Sequence, residues 1–194
     1  MIAALSHTVS VFCQIAKETA ARKGEIGKIR WTDIDFERRL IAINFPEKGC
    51  NPRVIKVSEK CINMIKSLAK DKETLFSNMK SMSSHYHTQR QKIANFLSNP
   101  RILKITLHTF RHWKATMEYH KTKDILYVKD FLGHKKIEST LIYVTIERTI
   151  FQDTSRDEFT VNVAKTVEDA CKLIAVGFDY VCEYSDTKIF RKRL

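Results

Sequence analysis

The sequence predicts a mainly α, α+β protein: a helical bundle with a small antiparallel sheet over residues 1–150, followed by a C-terminal β-α-β-β appendage over 151–194. Three observations predict this. Apolar residues recur at helical spacing through most of the first 150 positions. Two β-rich runs, Leu40–Phe45 and Arg53–Val57, bracket a loop holding Pro46, Lys48, Gly49, Asn51 and Pro52, the pattern of a hairpin with a longer loop. Charge and periodicity both change near residue 150: residues 1–150 carry 27 Lys and Arg against 14 Asp and Glu, and residues 151–194 carry 7 against 8.

Taken in order, Val9–Ala21 reads as a helix with Val9, Phe12, Cys13 and Ala16 on one face. Ile26–Trp31 reads as a short helical piece, and Asp33 and Asp35 mark a turn before the hairpin. Ser58 caps a helix through Leu68. A further helix spans Ser84–Leu97 and stops at Asn99-Pro100. Thr106 is an N-cap for Leu107–His120, Asp124 starts a helix to Phe131, Gly133 stops it, and Glu138–Ile146 is one more. In the tail, Phe159, Val161 and Val163 alternate as in a strand, Thr166 caps a helix to Ala175, and Phe178–Tyr184 and Lys188–Phe190 form a hairpin around Ser185-Asp186. Trp31, Phe110, Trp113, Leu132 and Leu141 are assigned to the core.

Composition excludes several classes. With 5 Gly and 3 Pro in 194 residues, the chain is neither collagen-like nor a linker. No apolar run reaches about 18 residues, so no membrane span is expected. Met1–Leu5 lacks a basic flank and a signal-length apolar stretch, so secretion is not expected and a cytoplasmic, nucleoid-associated location is. Cys13, Cys50, Cys61, Cys171 and Cys182 are odd in number and show no C-x-x-C spacing, against a disulfide framework or zinc ribbon. The net charge of +12, concentrated in the first 150 residues, suits a polyanionic partner, because each Lys or Arg that meets a phosphate releases condensed counterions.

Individual motifs are weak alone. His108 and Arg111 share a helix face, and a guanidinium fork beside an imidazole suits an anionic centre, although two solvated side chains would look the same. His108 and His112 have zinc-compatible spacing, yet no Glu follows the first His and no third ligand is in register. Arg22 and Glu25 have the spacing of a surface ion pair, Lys48 sits in the hairpin loop, and Tyr143 is one of six tyrosines.

In this order, however, Arg22 in Ala-Arg-Lys-Gly-Glu, Trp31-Thr32-Asp33-Ile34-Asp35, Lys48 in a hairpin, His108-Thr109-Phe110-Arg111-His112, Leu132-Gly133-His134 and Tyr143 after Thr140 resemble the tyrosine recombinase (phage integrase) family over residues 8–147. The stretch from His108 to Tyr143 and the tail look most like integrases of archaeal viruses and mobile elements. The resemblance implies a tyrosine recombinase catalytic-domain fold and cleavage of double-stranded DNA through a 3′-phosphotyrosine at Tyr143. Arg22 and Arg111 would grip the non-bridging oxygens, His108 would act as base, His134 would donate a hydrogen bond to the phosphate, and Lys48 would protonate the leaving 5′ oxygen. Glu25 would support Arg22. No cofactor and no metal are implied, since fixed cations stand where a metal nuclease uses grouped carboxylates, and no small-molecule substrate is expected.

The resemblance further implies DNA contacts from Ser83, Ser84, His85 and Arg90, and from Lys135 and Lys136 beside His134. It implies self-association on DNA as a tetrameric synapse. The family's helical core-binding domain is absent from this sequence, so a weak grip on DNA is expected. The segment Arg148–Asp157 would allow Tyr143 to act in cis or in trans. A type IB topoisomerase shares the chemistry, and a catalytically inactive DNA-binding module would share the fold.

Overall fold

The computed structural model describes residues 1–151, 159–184 and 187–193. It divides into two compact units, Met1–Glu147 and Arg148–Leu194.

The first unit is organised around α1 (His7–Thr19), which is buried on nearly all sides by Val9, Val11, Phe12, Cys13, Ile15 and Ala16. A helix buried around most of its circumference belongs in a core, and Ser10, Gln14 and Thr19 are buried with it. Here it packs against α3 (Glu59–Lys66), α4 (Met79–Phe96) and α5 (Leu107–Thr122). It ends at Ala20, whose φ of 52° turns the chain sharply into α2 (Lys23–Gly27). Phe12 meets Phe76 edge to face at 5.2 Å, sealing α1 against the chain that leads into α4.

The sheet has three strands, one more than the sequence pattern suggests. β2 (Leu40–Ile43) pairs antiparallel with β3 (Arg53–Lys56) in the register Ile41↔Ile55, and β1 (Ile34–Asp35) adds an edge through Ile34↔Ile41. The turn expected at Asp33 and Asp35 falls one step later. Asp35 Oδ1 accepts the backbone N–H groups of Glu37 and Arg38, so an Asx turn follows the strand. Ile26–Trp31 is not one helical piece: α2 stops at Gly27, and Arg30 is drawn into a β-bridge with Thr74 before a 3-10 turn over Trp31–Asp33.

α4 begins at Met79 rather than Ser84, because Asn78 accepts the N–H groups of Lys80 and Ser81 and caps a turn whose apolar spacing is faint. Thr106 caps α5 and Asp124 caps α6 (Ile125–Leu132), as the sequence predicts. Gly133 ends α6 with φ 70°. A Cβ there would stand 2.6 Å from the carbonyl oxygen of Asn51, so both the conformation and the close approach require glycine. α7 runs from Glu138 to Phe151, beyond the expected end at Ile146 and through Arg148 of the segment assigned to cis or trans exchange; residues 152–157 of that segment lie outside the described residues.

Phe110 and Leu132 are buried and Trp31 is partly buried against the core, but Trp113 and Leu141 are 47% and 48% exposed. Trp113 lies under the Lys17 ammonium at 5.3 Å and lines an apolar cleft with Met1, Ile2 and Phe110, where a large ring is covered on one side only.

The second unit runs β4 (Phe159–Ala164), α8 (Val167–Ala175), β5 (Asp179–Tyr184), β6 (Thr187–Arg193). β6 lies between the other two strands, antiparallel to both. Thr166 caps α8, and Ala164, Ala170 and Phe190 form a small core with Leu173 and Phe178 packed on it. The expected turn residues Ser185 and Asp186 lie outside the described residues.

Candidate active site

Glu25 is the centre of the polar site. It is 1% exposed, and its carboxylate accepts four hydrogen bonds: from Arg22 N (2.9 Å), Arg22 Nη1 (3.2 Å), Glu47 N (3.1 Å) and Arg53 Nη2 (2.7 Å). Burial would raise its pKa, but the hydrogen bond and charge of Arg53 and the two backbone donors outweigh burial and hold it below the usual carboxylate range. The local cause is a capping box. Arg22 precedes α2, and Glu25, in the first turn, reaches back to the Arg22 N–H.

Arg22 is thereby fixed. Its Nη1 also reaches the Glu47 carbonyl at 3.3 Å and the Cys50 thiol at 2.9 Å, which staples the β2–β3 hairpin loop to α2. Burial acts to lower the Arg22 pKa, but Cys50 and Glu25 prevail and it rises. Among the described residues its Nη2 has no hydrogen-bond partner, and the side chain lines an open cleft of about 320 Å³ with His108. Lys48, next to Glu47, is exposed with φ 55° and lies near enough to His108 for its charge to act on that imidazole.

Arg111 is 2% exposed. Nη1 donates to the Ala20 carbonyl at 2.6 Å, and Nη2 donates to the Leu132 carbonyl at 3.0 Å and to His134 Nε2 at 2.9 Å. The α1 C-terminus, α5 and the α6 C-terminus thus meet on one guanidinium. Burial, then the charges of Arg22 and Arg53, pull its pKa down to about 10.

The tautomer of His134 follows from its partners. Arginine only donates, so Nε2 accepts; Nδ1 therefore carries the proton and donates to Thr140 Oγ1 at 2.9 Å. Burial, then Arg111, Arg22 and Arg53, push the imidazole down to about 4. His108 and His112 are also shifted down, His108 by burial and then by His112, Arg111, Arg22 and Lys48, and His112 by burial and Arg111. All three shifts favour the neutral ring, because burial first and the neighbouring cations second oppose a further positive charge.

Tyr143 is 3% exposed, packed with Ala20, Ala115, Val128 and Leu132. Burial raises its pKa, while Arg111 and Arg22 pull the other way. Its helix is held on both sides along one face. Thr140, three residues before, bonds His134, and buried Glu147, four residues after, accepts from His120 Nδ1 at 2.8 Å and from the Lys123 ammonium.

The structure thus brings Arg22, Glu25, His108, Arg111, His134 and Tyr143 together, with Lys48 at the rim. The assigned DNA contacts fare differently. Arg90 is 9% exposed and committed to the Ile105 carbonyl at 2.8 Å and His87 Nδ1 at 3.1 Å; it anchors the chain entering α5 and is not a free surface cation. Ser83 lines the cleft of Arg22, but Ser84 is exposed outside it and His85 lines another cavity with Thr8 and Asp71, because successive helical residues turn by about 100°. The α4 face beside the cleft is Ser83, His87 and Arg90, of which the sequence reading named Ser83 and Arg90 but not His87. Lys135 and Lys136 are exposed.

Sequence reading also missed Arg53, the second arginine on Glu25. The alternation of β3, Arg53 and Ile55 inward with Val54 and Lys56 outward, signals an inward arginine. It gave no role to Cys50 or Glu147, and weighed His112 only as a zinc-spaced partner of His108. All five cysteines are free. Among the described residues no group of three His, Cys, Asp or Glu side chains is gathered as a metal would need, and no helix is long and apolar enough to cross a membrane.

Among curated relatives, tyrosine recombinase XerH of Campylobacter jejuni is 28% identical over 160 residues, covering 78% of this chain and 43% of its own length. The ICEBs1 integrase of Bacillus subtilis is 24% identical, covering 67% and 42%, and tyrosine recombinase XerA of Thermococcus onnurineus, an archaeal relative among bacterial ones, is 26% identical, covering 65% and 47%. The chain therefore spans less than half the length of each of these relatives. In fold it is similar to the crystal structure of XerA recombinase (TM-score 0.61, 20% identity, 77% of this chain and 59% of that one). It is likewise similar to the catalytic domain of bacteriophage HP1 integrase (TM-score 0.53, 20% identity, 77% and 81%). With the phage integrase family matching residues 3–149, the stretch that carries every residue of the cleft, this chain belongs to the phage integrase family.

Proposed function

We propose that this chain is the catalytic part of a site-specific tyrosine recombinase, which cuts and rejoins double-stranded DNA through Tyr143. One observation carries the proposal: Arg22 and Arg53 bond a single buried carboxylate, Glu25, and Arg111 lies within electrostatic reach of both that carboxylate and a buried phenol. Positive charge in excess at a cleft calls for an anion, and a phosphodiester is the anion a tyrosine attacks.

Tyr143 Oη forms a bond to phosphorus while the bond from phosphorus to the 5′ oxygen breaks. The phenol proton passes to His108, neutral in this site and therefore able to take it. Lys48 gives a proton to the departing 5′ oxygen. Arg22, with Nη2 unengaged, and Arg111 hold the non-bridging oxygens, where losing one donor costs on the order of 10²–10³ in rate. His134 Nε2 now accepts from Arg111, so donation to a phosphate requires that contact to be exchanged and the ring proton to move from Nδ1 to Nε2, with Thr140 Oγ1 then donating to Nδ1. Glu25 holds Arg22 in place. The XerH structures bound to difH substrate, before and after cleavage, support duplex DNA as partner. A tetrameric synapse and action in the cytoplasm, where such DNA lies, complete the proposal.

The test is a pool of nicked duplexes with randomised sequence around the nick. The protein should form a covalent adduct that survives denaturation, and Tyr143→Phe should form none. An adduct from that variant, dependent instead on Tyr119 or Tyr127, would overturn the assignment. Relaxation of supercoiled plasmid with no exchange between paired sites would point to a topoisomerase.

A further inference from the structure

We propose that His112 is a positioning residue for the Tyr143 phenol, a role that rests on Tyr143 being the nucleophile. α5 carries His108 and His112 one turn apart on one face, with their rings edge to face at 4.5 Å and 88°. The His112 ring also lies 5.8 Å from the Tyr143 ring, inclined at 50°. His112 therefore touches both the proposed base and the proposed nucleophile.

A histidine is a costly residue for packing alone at this place. Its Nδ1 is buried and has no hydrogen-bond partner among the described residues. An unmet buried polar atom costs about 1–3 kcal/mol, a penalty that a phenylalanine would avoid. Of the two rings in contact with it, only the phenol carries a hydroxyl. The ring contact sets the plane in which the phenol stands, and the open nitrogen gives its hydroxyl a hydrogen-bond stop as Tyr143 leaves its buried position. His112 thereby limits the phenol to orientations beside His108. Misplacement of a reacting group by about 1 Å can cost 10²-fold in rate, so a residue touching no DNA can still govern cleavage.

The experiment uses the full chain and a nicked duplex recovered from the adduct-forming pool. His112→Phe keeps the ring and removes the nitrogens; His112→Asn removes the ring and keeps a polar atom. In His112→Phe, single-turnover cleavage at saturating DNA should slow by about 10- to 100-fold, with DNA affinity unchanged within twofold. His112→Asn should recover part of that loss although it packs less well, a ranking that a purely structural role would reverse. Cleavage by His112→Phe at the wild-type rate, or faster than by His112→Asn, would overturn the proposal. If His112→Phe does not fold, His112→Leu takes its place, since it too removes the nitrogens, and a wild-type rate in His112→Leu or His112→Ala overturns the proposal equally. Tyr143→Phe run in parallel separates the two levels: adduct from that variant refutes the nucleophile, whereas its absence beside wild-type cleavage by the His112 variants refutes only the positioning role.

Discussion

Replacing Glu25 with Gln tests the centre of the site without changing its shape. The carboxylate faces four donors, two at each oxygen: Arg22 Nη1 and Glu47 N at Oε1, Arg22 N and Arg53 Nη2 at Oε2. A Gln amide has one oxygen, so either orientation turns an NH2 group toward two donors. It also removes the carboxylate paired with Arg53, the only such partner among the described residues, from a side chain that is 5% exposed. Breaking a buried ion pair from one side costs about 3–5 kcal/mol, against a total stability of roughly 5–15. For a unit near 150 residues, each kcal/mol moves Tm by about 2–4 °C, so Glu25→Gln should melt roughly 6–20 °C lower by circular dichroism. Arg53→Met in the Glu25→Gln background should recover most of the loss by removing the orphaned charge. The sign with pH follows from the depressed carboxylate: its contribution is present above the unfolded pKa and is lost as pH falls through the folded one, so the two melting curves should converge in acid. A loss below about 1 kcal/mol, or no recovery in the double variant, would refute the central role given to Glu25.

Lys48→Ala should cleave slowly and be rescued by a 5′-bridging sulfur, a leaving group that needs no proton; lack of rescue would remove Lys48 as the acid. Gly133→Ala should cost at least about 2 kcal/mol by urea titration, since φ 70° and the Asn51 carbonyl both oppose a Cβ, and a neutral result would contradict the tight α6 exit. Acid should destabilise the protein well before its carboxylates titrate. His134 at about 4 lies below the ordinary 6.5, so between those values the unfolded chain binds the extra proton and stability falls with pH, with His108 and His112 adding in the same direction. Equal urea midpoints at pH 7 and pH 5 would contradict it.

The parts of the fold that were legible in the sequence were those written locally. Thr106, Asp124, Ser58 and Thr166 act as caps through their own side chains, and Gly133 ends α6 through its own φ. What was illegible depends on distant partners. β1 is two residues long and exists because Ile34 and Asp35 find Ile41 and Leu40. The β-bridge between Arg30 and Thr74 shortens a helix that local pattern would have continued. Arg90 looks like a surface cation until the Ile105 carbonyl is placed beside it.

The same division runs through the site. Arg22, His108, Arg111 and Tyr143 are candidates because their order along the chain carries them, while Arg53 joins them only by contact. Arg53 reaches Glu25 across 28 residues, and Arg111 reaches the Ala20 carbonyl across 91. Each of these bonds satisfies a group that would otherwise be buried and unmet, so the fold cannot form in this way without assembling the cationic cleft. Stability and site are consequently coupled here: the guanidinium of Arg111 that would hold a phosphate is also the tie between α1, α5 and the end of α6. A substitution at Arg111 must therefore be judged by rate and melting point together, since loss of adduct alone would not separate a missing oxyanion donor from a loosened bundle.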